Sequence, residues 1–210
     1  MKGLIYKDNA IFFKSIDRKM ILIAAGAIVL LMVNTGAYAG LFASVMLAMT
    51  IGMQNIMSFA SDEKASWKKY QLAMPVNAVS VVTSKYISVV CTLAVSFVGS
   101  ILFNLLSGIV FRNFDIVVWG VSATASVLVP LLWTGICLPL TYWFGFRSGQ
   151  TMGLIAVIPM FYFVKYFEDG AGFSAMTDSI LSYAVAAGAA VAVLFVISMI
   201  ISMIGYNRKK

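Results

Sequence analysis

The sequence lacks histidine altogether and has little charge of either sign: Asp, Glu, Lys and Arg make up 11% of its 210 residues, whereas 61% are apolar. A soluble domain usually has about 25% charged and about 45–50% apolar residues. This chain has too little charge to cover a water-facing surface, which excludes a soluble enzyme, a soluble DNA-binding domain and a disordered tail. The composition therefore predicts an integral membrane protein.

The missing residue types also exclude several chemistries. Without histidine there is no His general base and no His-ligated metal site. No Gly-Lys pair occurs, so the phosphate-cradling G-x-x-x-x-G-K-[ST] loop is missing as well. We therefore expect a chain that is not an enzyme and that binds no metal or cofactor of its own. Cys91 and Cys137 both lie in apolar runs, where we expect buried small hydrophobes rather than a disulfide.

What the sequence does contain is a series of six apolar stretches, at residues 20–33, 37–59, 80–110, 117–143, 150–164 and 180–204. A helix needs about 20 residues to cross a hydrocarbon core about 30 Å thick. Four stretches meet this length, and the first and fifth fall short. The expected fold is an all-α integral membrane protein with six transmembrane helices within residues 20–210. Ala37-Tyr38-Ala39 is similar to a signal-peptidase site, but another apolar run follows at once, which favours a retained first span.

The basic residues are distributed unevenly along the chain. Arg112 and Lys165 are the exceptions. All other basic residues fall in residues 1–19, in the connection between the second and third stretches (58–86), in the connection between the fourth and fifth stretches, or in residues 208–210. By the positive-inside rule this asymmetry places both termini in the cytoplasm. The net charge of +7 is thus explained by membrane topology, and we expect no nucleic-acid partner.

Residues 1–19 form a basic leader with an apolar repeat. The repeat consists of Leu4, Ile5, Ile11, Phe12 and Ile16, and the bases Lys7, Lys14 and Arg18 lie between them. This near-helical spacing favours an amphipathic helix in the cytoplasmic interface, with its bases near anionic lipid headgroups. The alternative is a simple extension of the first span.

No charged residue lies in the stretches between Met20 and Ala60, Tyr86 and Phe111, Ile116 and Phe146, or Ser179 and Asn207. Their uncharged polar residues include Gln54, Asn55, Asn104 and Thr134. One interpretation is ordinary hydrogen bonding between helices. The other is a polar lining for a substrate path. Because ion-coupled transporters usually keep charged groups at mid-membrane, the lack of charge in these stretches disfavours a secondary transporter.

Small residues recur every four positions at Gly145, Gly149 and Gly153. This spacing lets helices approach closely. The contact can lie within one chain or between two chains, and the sequence leaves both open.

The second connection runs from Ser58 to Tyr86, and residues 60–78 within it read as a short cytoplasmic helix. Ser61 is a candidate N-cap, followed by Asp62 and Glu63 in the first turn. Trp67, Tyr70 and Met74 would share one face, Lys64 and Lys68 would lie on another, and Pro75 would end the helix. The aromatic face could lie on the membrane or dock a soluble partner.

The sequence of this connection resembles that of a known protein family. The run from Asp62-Glu63-Lys64 through Trp67 and Tyr70 to "LAMPV", with Ser84-Lys85-Tyr86 after it, is similar to small bacterial type-2 ABC exporter permeases, as is the opening "MKGLIYKD". Permeases of about this size in that family include exporters of antimicrobial peptides and phenol-soluble modulins.

The resemblance implies a function and a set of partners. The chain would be the permease of an ATP-driven exporter in the bacterial cytoplasmic membrane, moving an amphipathic peptide, lipid or drug outward. ATP and magnesium would be bound by a separate ABC ATPase subunit. That subunit would contact a coupling helix containing Asp62, Glu63, Lys64, Trp67, Tyr70 and Pro75. Residues 165–179 would be extracellular and re-entrant, and a second permease chain would complete a homo- or heterodimer. The alternative function is a non-transporting immunity or scaffold protein that binds a peptide.

Overall fold

The computed structural model describes residues 2–16, 18–65, 67, 77–112, 114–147, 151 and 180–208. Regular secondary structure in this part of the chain is helical throughout. The helices are α1 (Lys2–Ser15), α2 (Arg18–Thr35), α3 (Ala39–Lys64), α4 (Ala78–Phe111), α5 (Ile116–Phe144) and α6 (Ile180–Arg208), with a 3₁₀ turn at Gly36–Tyr38 between α2 and α3. The all-α expectation is therefore confirmed for the described residues.

Four of these helices are long and apolar enough to cross a membrane: Ala39–Glu63, Ala78–Phe111, Ile116–Phe144 and Val185–Arg208. The first apolar stretch gives a shorter apolar helix, Leu22–Thr35. The fifth stretch, 150–164, and the expected re-entrant segment, 165–179, lie outside the described residues except for Thr151. Six transmembrane helices thus remain a prediction, of which four candidate spans are present in the structure.

The leader forms a helix of its own. Helix α1 ends at Ser15 and α2 begins at Arg18, so the leader is not one continuous helix with the first apolar stretch. Tyr6 and Phe13 are exposed on α1, whereas Phe12 and Asp8 are buried against the rest of the chain. Lys7 is half-buried and pairs with Asp62 of α3, and the interfacial position of the leader stays a prediction.

Among the helices that the structure describes, α4 is the longest, at 34 residues or about 51 Å. Its burial pattern is the reverse of that of a soluble helix. The buried side chains include Ser84, Lys85, Ser88, Thr92, Ser96, Ser100, Asn104 and Ser107. The exposed ones are apolar and include Val90, Phe97, Val98, Leu102, Leu105 and Ile109. A surface of this kind is suited to lipid, because apolar side chains lose nothing there and polar ones need partners inside the protein.

The same pattern corrects one cysteine prediction. Cys137 is buried as expected, but Cys91 is exposed because it lies on the apolar outward face of α4 beside Val90. Both thiols are free.

The chain divides into two compact units, Met1–Thr134 and Gly135–Lys210, and α5 contributes residues to both. In the first unit α4 packs along α3, and α1 packs against both. A close approach occurs at Gly40 of α3, where an added Cβ would lie 2.9 Å from the Asn104 Cα of α4. Only glycine lets the two backbones come this near.

In the second unit, the end of α5 packs on α6. The Ser198 hydroxyl donates a hydrogen bond to the Gly135 carbonyl (2.6 Å), and the Trp143 indole N–H donates to the Ile201 carbonyl (3.1 Å). The Trp143 ring lies against Gly205, where an added Cβ would be 2.5 Å from Trp143 Cδ1. A small residue at this position of α6 therefore lets the large ring pack between the helices.

Candidate functional site

Four charged side chains from three helices meet in the first unit. Lys7 and Asp8 are adjacent on α1, Asp62 lies in the last turn of α3, and Lys85 lies in α4 about 10 Å from its first residue. These residues are far apart in sequence: Lys7 and Asp62 are separated by 55 positions, and Asp8 and Lys85 by 77. We call Lys7, Asp8, Asp62 and Lys85 the charge ring.

The four contacts of the charge ring close on themselves. The Lys7 Nζ atom lies 2.6 Å from Asp62 Oδ1 and 3.4 Å from Asp8 Oδ1. The Lys85 Nζ atom lies 2.8 Å from Asp8 Oδ1 and 3.1 Å from Asp62 Oδ2. Each ammonium therefore contacts both carboxylates, and each carboxylate contacts both ammonium groups.

Burial makes this pairing necessary. The side chains of Asp8 and Lys85 are 4% and 8% exposed, and those of Asp62 and Lys7 are 18% and 23% exposed. An unpaired ion removed from water costs several kcal/mol, and the attraction between buried ions offsets this cost only when their geometry is good. Two bases and two acids at these distances leave the cluster with no net charge.

Neighbouring polar groups complete the environment of Lys85. Its ammonium also donates to the Ser58 hydroxyl at 2.9 Å, and it lies 4.6 Å from the centroid of the Phe59 ring. An ammonium has three hydrogens to donate, and Asp8, Asp62 and Ser58 accept them. Lys85 is therefore fully satisfied, although it lies within an otherwise uncharged helix.

A second contact joins the same helices beside the ring. The Ser88 hydroxyl on α4 donates to the side-chain oxygen of Asn9 on α1 at 2.9 Å. Residues 7, 8 and 9 of α1 thus all contact α3 or α4 through polar groups, so the position of α1 is determined by directional bonds as well as by the buried Phe12 ring.

The charge ring also contacts the second connection. The Lys7 Nζ atom lies 4.4 Å from the centroid of the Trp67 ring, and Trp67 is helical and half-buried. A cation above an indole face is stabilising by about 0.5–1 kcal/mol at exposed sites and by more when water is excluded. Through Lys7, Trp67 is linked to α1 and α3, and the Asp8 and Asp62 partners of Lys7 in turn contact Lys85 of α4.

The structure places the predicted coupling residues unequally. Asp62 and Trp67 lie together around Lys7, whereas Glu63 is exposed at the end of α3 and Lys64 is its last residue. Tyr70 and Pro75 lie outside the described residues. The predicted N-cap at Ser61 was wrong: α3 continues through Ser61 to Lys64, and the Ser61 carbonyl accepts from the Ala65 N–H at 3.0 Å. No proline or glycine interrupts residues 58–64, so the helix has no reason to end earlier.

Sequence reasoning did not find Lys7, Asp8 or Lys85 as site residues. Lys85 was assigned to the connection, but it is buried within α4. A signal was present: a lysine one to three turns inside a long apolar helix needs an acidic partner, and few acids are available in a chain with eight of them. Which acid it meets cannot be read from spacing.

The polar residues predicted as packing groups or as a substrate path lie mostly among internal partners. The Asn55 amide donates to the Thr92 hydroxyl at 2.9 Å, which joins α3 to α4. The Asn104 amide donates to the Ser100 carbonyl at 2.8 Å and to the Ser44 hydroxyl at 3.2 Å. The Asn55–Thr92 and Asn104–Ser44 bonds are interhelical, whereas Ser100 and Asn104 both lie on α4. A substrate path along these residues stays a prediction.

The remaining predicted positions add less. The Thr134 hydroxyl donates to the Pro130 carbonyl of its own helix at 2.6 Å, and Gln54 is half-buried on α3. Gly145 follows the last residue of α5 with φ +92°, and an added Cβ would meet nothing within 4 Å. Gly149 and Gly153 lie outside the described residues, so the packing role of the three glycines stays a prediction.

The helices and the charge ring together define a class of protein. Four apolar helices of membrane-spanning length make the chain a multi-pass membrane protein, and its buried charges gather where α1, α3 and α4 meet the second connection. The family model described as ABC-2 family transporter protein matches residues 3–207, and the chain belongs to this family. It is therefore a permease subunit of an ABC transporter, a type of subunit that works with an ATPase partner. No curated protein and no solved structure matches the chain.

Proposed function

We propose that this chain is the permease of a bacterial ATP-driven exporter that moves an amphipathic substrate outward across the cytoplasmic membrane. Both termini would lie in the cytoplasm, a second permease chain would pair with this one, and a separate subunit would bind ATP and magnesium. The single observation that carries the proposal is the contact of Lys7 with both Asp62 and Trp67, since it ties the predicted coupling segment to α1 and α3.

The charge ring supplies a route for the movement of an ATPase to reach the spans. A subunit that bound residues 60–78 and moved would displace Trp67 and the end of α3. Because the charge ring joins these residues to α1 and α4, those helices would move as well. A partner can shift a conformational equilibrium only by binding one state better than the other. Here the differential contact would be made at the coupling segment by the nucleotide-bound ATPase.

The exposed side chains of α3 favour an amphipathic substrate over a sugar or an ion. Met46, Met49, Met53 and Met57 recur along one side of this helix, and each is about half exposed. Methionine is flexible and polarizable, and it adapts to apolar groups of different shapes. No charged residue lies between Met20 and Ala60, so this surface has no group to bind an ion.

The test is to substitute Trp67 and to measure the recovery of the ATPase. In Trp67→Ala/Tyr70→Ala, the permease should still insert, but a Walker-motif ATPase should no longer copurify with it in mild detergent, and the purified sample should lose ATP hydrolysis. Trp119→Ala is the matched control, because Trp119 is also half-buried but lies in α5. Recovery of the ATPase at wild-type stoichiometry with the double variant would contradict the coupling assignment.

The same purification separates the two candidate functions. If the wild-type chain brings down no Walker-motif ATPase and binds an amphipathic peptide without transporting it in proteoliposomes supplied with ATP, the immunity or scaffold alternative is favoured.

A further inference from the structure

We propose that the charge ring is a separable latch, from which α1 can detach as a unit without leaving a buried charge unpaired. This inference rests on the proposed function for its biological use, since the detached state would be one of the conformations that the ATPase selects. Its structural content stands on the contacts of Lys7, Asp8, Asp62 and Lys85 alone.

The order of charges around the ring determines where it can open. Two of its four contacts join α1 to the other helices: Lys7 to Asp62, and Asp8 to Lys85. The other two do not cross the boundary between α1 and the helices α3 and α4. Lys7 contacts Asp8 within α1, and Lys85 contacts Asp62 between α4 and α3. When α1 withdraws, each side therefore keeps one base and one acid already in contact.

A single ion pair across the boundary would behave differently. Separating one buried acid from one buried base strands both charges, which is strongly destabilising. The ring avoids this penalty, because its opening exchanges a neutral group of four for two neutral pairs. The α1 pair then enters water, and the Asp62–Lys85 pair stays with the Ser58 hydroxyl beside it.

Other contacts also hold α1 against α3, α4 and Trp67. They include the Ser88–Asn9 hydrogen bond, the buried Phe12 side chain and the contact of Lys7 with the Trp67 ring. Lys7 and Asp62 are also the more exposed members of the ring, so water already reaches the boundary on that side. Opening would start there, and it would remove the ammonium that covers the face of Trp67. The latch would thus regulate how Trp67 is presented to a partner.

The test measures the distance between α1 and α3 by pulsed electron paramagnetic resonance in lipid nanodiscs. Spin labels at Ala10→Cys and Ser61→Cys, two exposed positions, are introduced after Cys91→Ala and Cys137→Ala. In this parent the structure predicts one short distance population. Lys7→Asp/Asp8→Lys keeps the pair within α1 but places like charges opposite Asp62 and Lys85, so a longer population should dominate. Adding Asp62→Lys/Lys85→Asp restores opposite charges across the boundary, and the short population should return.

A gentler variant covers the case in which charge inversion prevents folding. Lys7→Gln/Asp8→Asn removes both charges from α1 and leaves the Asp62–Lys85 pair intact, so the spans should fold and the longer population should rise. Lys14→Gln, which removes an exposed α1 charge outside the ring, should leave the short distance unchanged. An unchanged distance in the folded Lys7→Gln/Asp8→Asn variant would overturn the latch, and so would failure of the fourfold inversion to restore the short distance.

These measurements use the permease alone. A chain that binds no ATPase but gives the predicted distances would contradict the proposed function and leave the latch standing. A chain that binds the ATPase through Trp67 but never shows the longer distance would support the proposed function and contradict the latch.

Discussion

The two halves of α4 bury polar groups by different means. Near its beginning, Lys85 is charged and is neutralised by Asp8 and Asp62 from two other helices. From Thr92 to Ser107 the buried polar groups are uncharged Ser, Thr and Asn side chains that bond to carbonyls and to one another. Both halves are satisfied, but by interactions whose failure has different consequences.

The difference follows from the energy of desolvation. A lone buried charge costs several kcal/mol, whereas an unsatisfied hydroxyl or amide costs about 1–3 kcal/mol. The charged half therefore needs its bases and acids balanced in pairs, and the uncharged half tolerates the loss of one partner. This contrast also suits the proposed roles, since strong directional contacts lie beside the coupling segment and weak ones hold the spans together.

Asp8→Asn should have the largest effect, because it leaves Lys7 and Lys85 with only Asp62 between them. We expect a loss of about 3–5 kcal/mol in the free energy of unfolding. The measurement is denaturant unfolding of the purified chain in detergent. Glu63→Gln, at an exposed carboxylate next to the ring, is the control and should change stability by less than about 0.5 kcal/mol. Equal effects of the two variants would show that the ring is not the source of stability.

Gly40→Ala should come next, because it tests the close approach of α3 and α4 in the uncharged half. The new Cβ would lie 2.8 Å from Asn104 Oδ1 and 2.9 Å from its Cα, so a backbone would have to shift. Overpacking of this kind costs about 1–3 kcal/mol. Gly26→Ala is matched, since nothing lies within 4 Å of its added Cβ, and it should be neutral or slightly stabilising. The same unfolding experiment decides between them.

Asn55→Ala should have the smallest effect of the three, although it breaks a buried interhelical bond. It removes the contact with Thr92, whose hydroxyl also lies 2.7 Å from the Val89 carbonyl of its own helix. Interhelical hydrogen bonds in membrane proteins are stabilising by about 0.6 kcal/mol on average. Thr50→Ala, which loses only a bond to its own helix at Met46, serves as the reference. A loss for Asn55→Ala as large as that for Asp8→Asn would remove the distinction between the two halves of α4.

The long spans were the part of the fold that could be predicted most closely. The stretches 80–110 and 117–143 became Ala78–Phe111 and Ile116–Phe144, because in an apolar run of this length only a helix satisfies every backbone group in lipid. The end of α3 was missed by about one turn. Ser61, Asp62 and Glu63 suit the first turn of a helix, but with no breaker before them α3 continued through them.

The candidate site was predictable only in part. Asp62 and Trp67 were singled out from the pattern of the second connection, and both lie at the charge ring. Lys7 and Lys85 were visible as bases near apolar segments, but their use as buried partners depends on Asp8, which no periodicity distinguishes from a surface acid.

The sequence by itself determined that this is a helical membrane protein with most of its charge at the edges of the apolar runs, because solvation of side chains and backbone is a local property of composition and length. The tertiary structure decided which four of the few charged residues would meet. Residues 7, 62 and 85 are distant along the chain. Only the packing of α1 against α3 and α4 brings the ammonium groups of Lys7 and Lys85 within 4 Å of the Asp62 carboxylate. That juxtaposition is a matter of three-dimensional geometry, and it links Trp67 of the predicted coupling segment to α1 and α3.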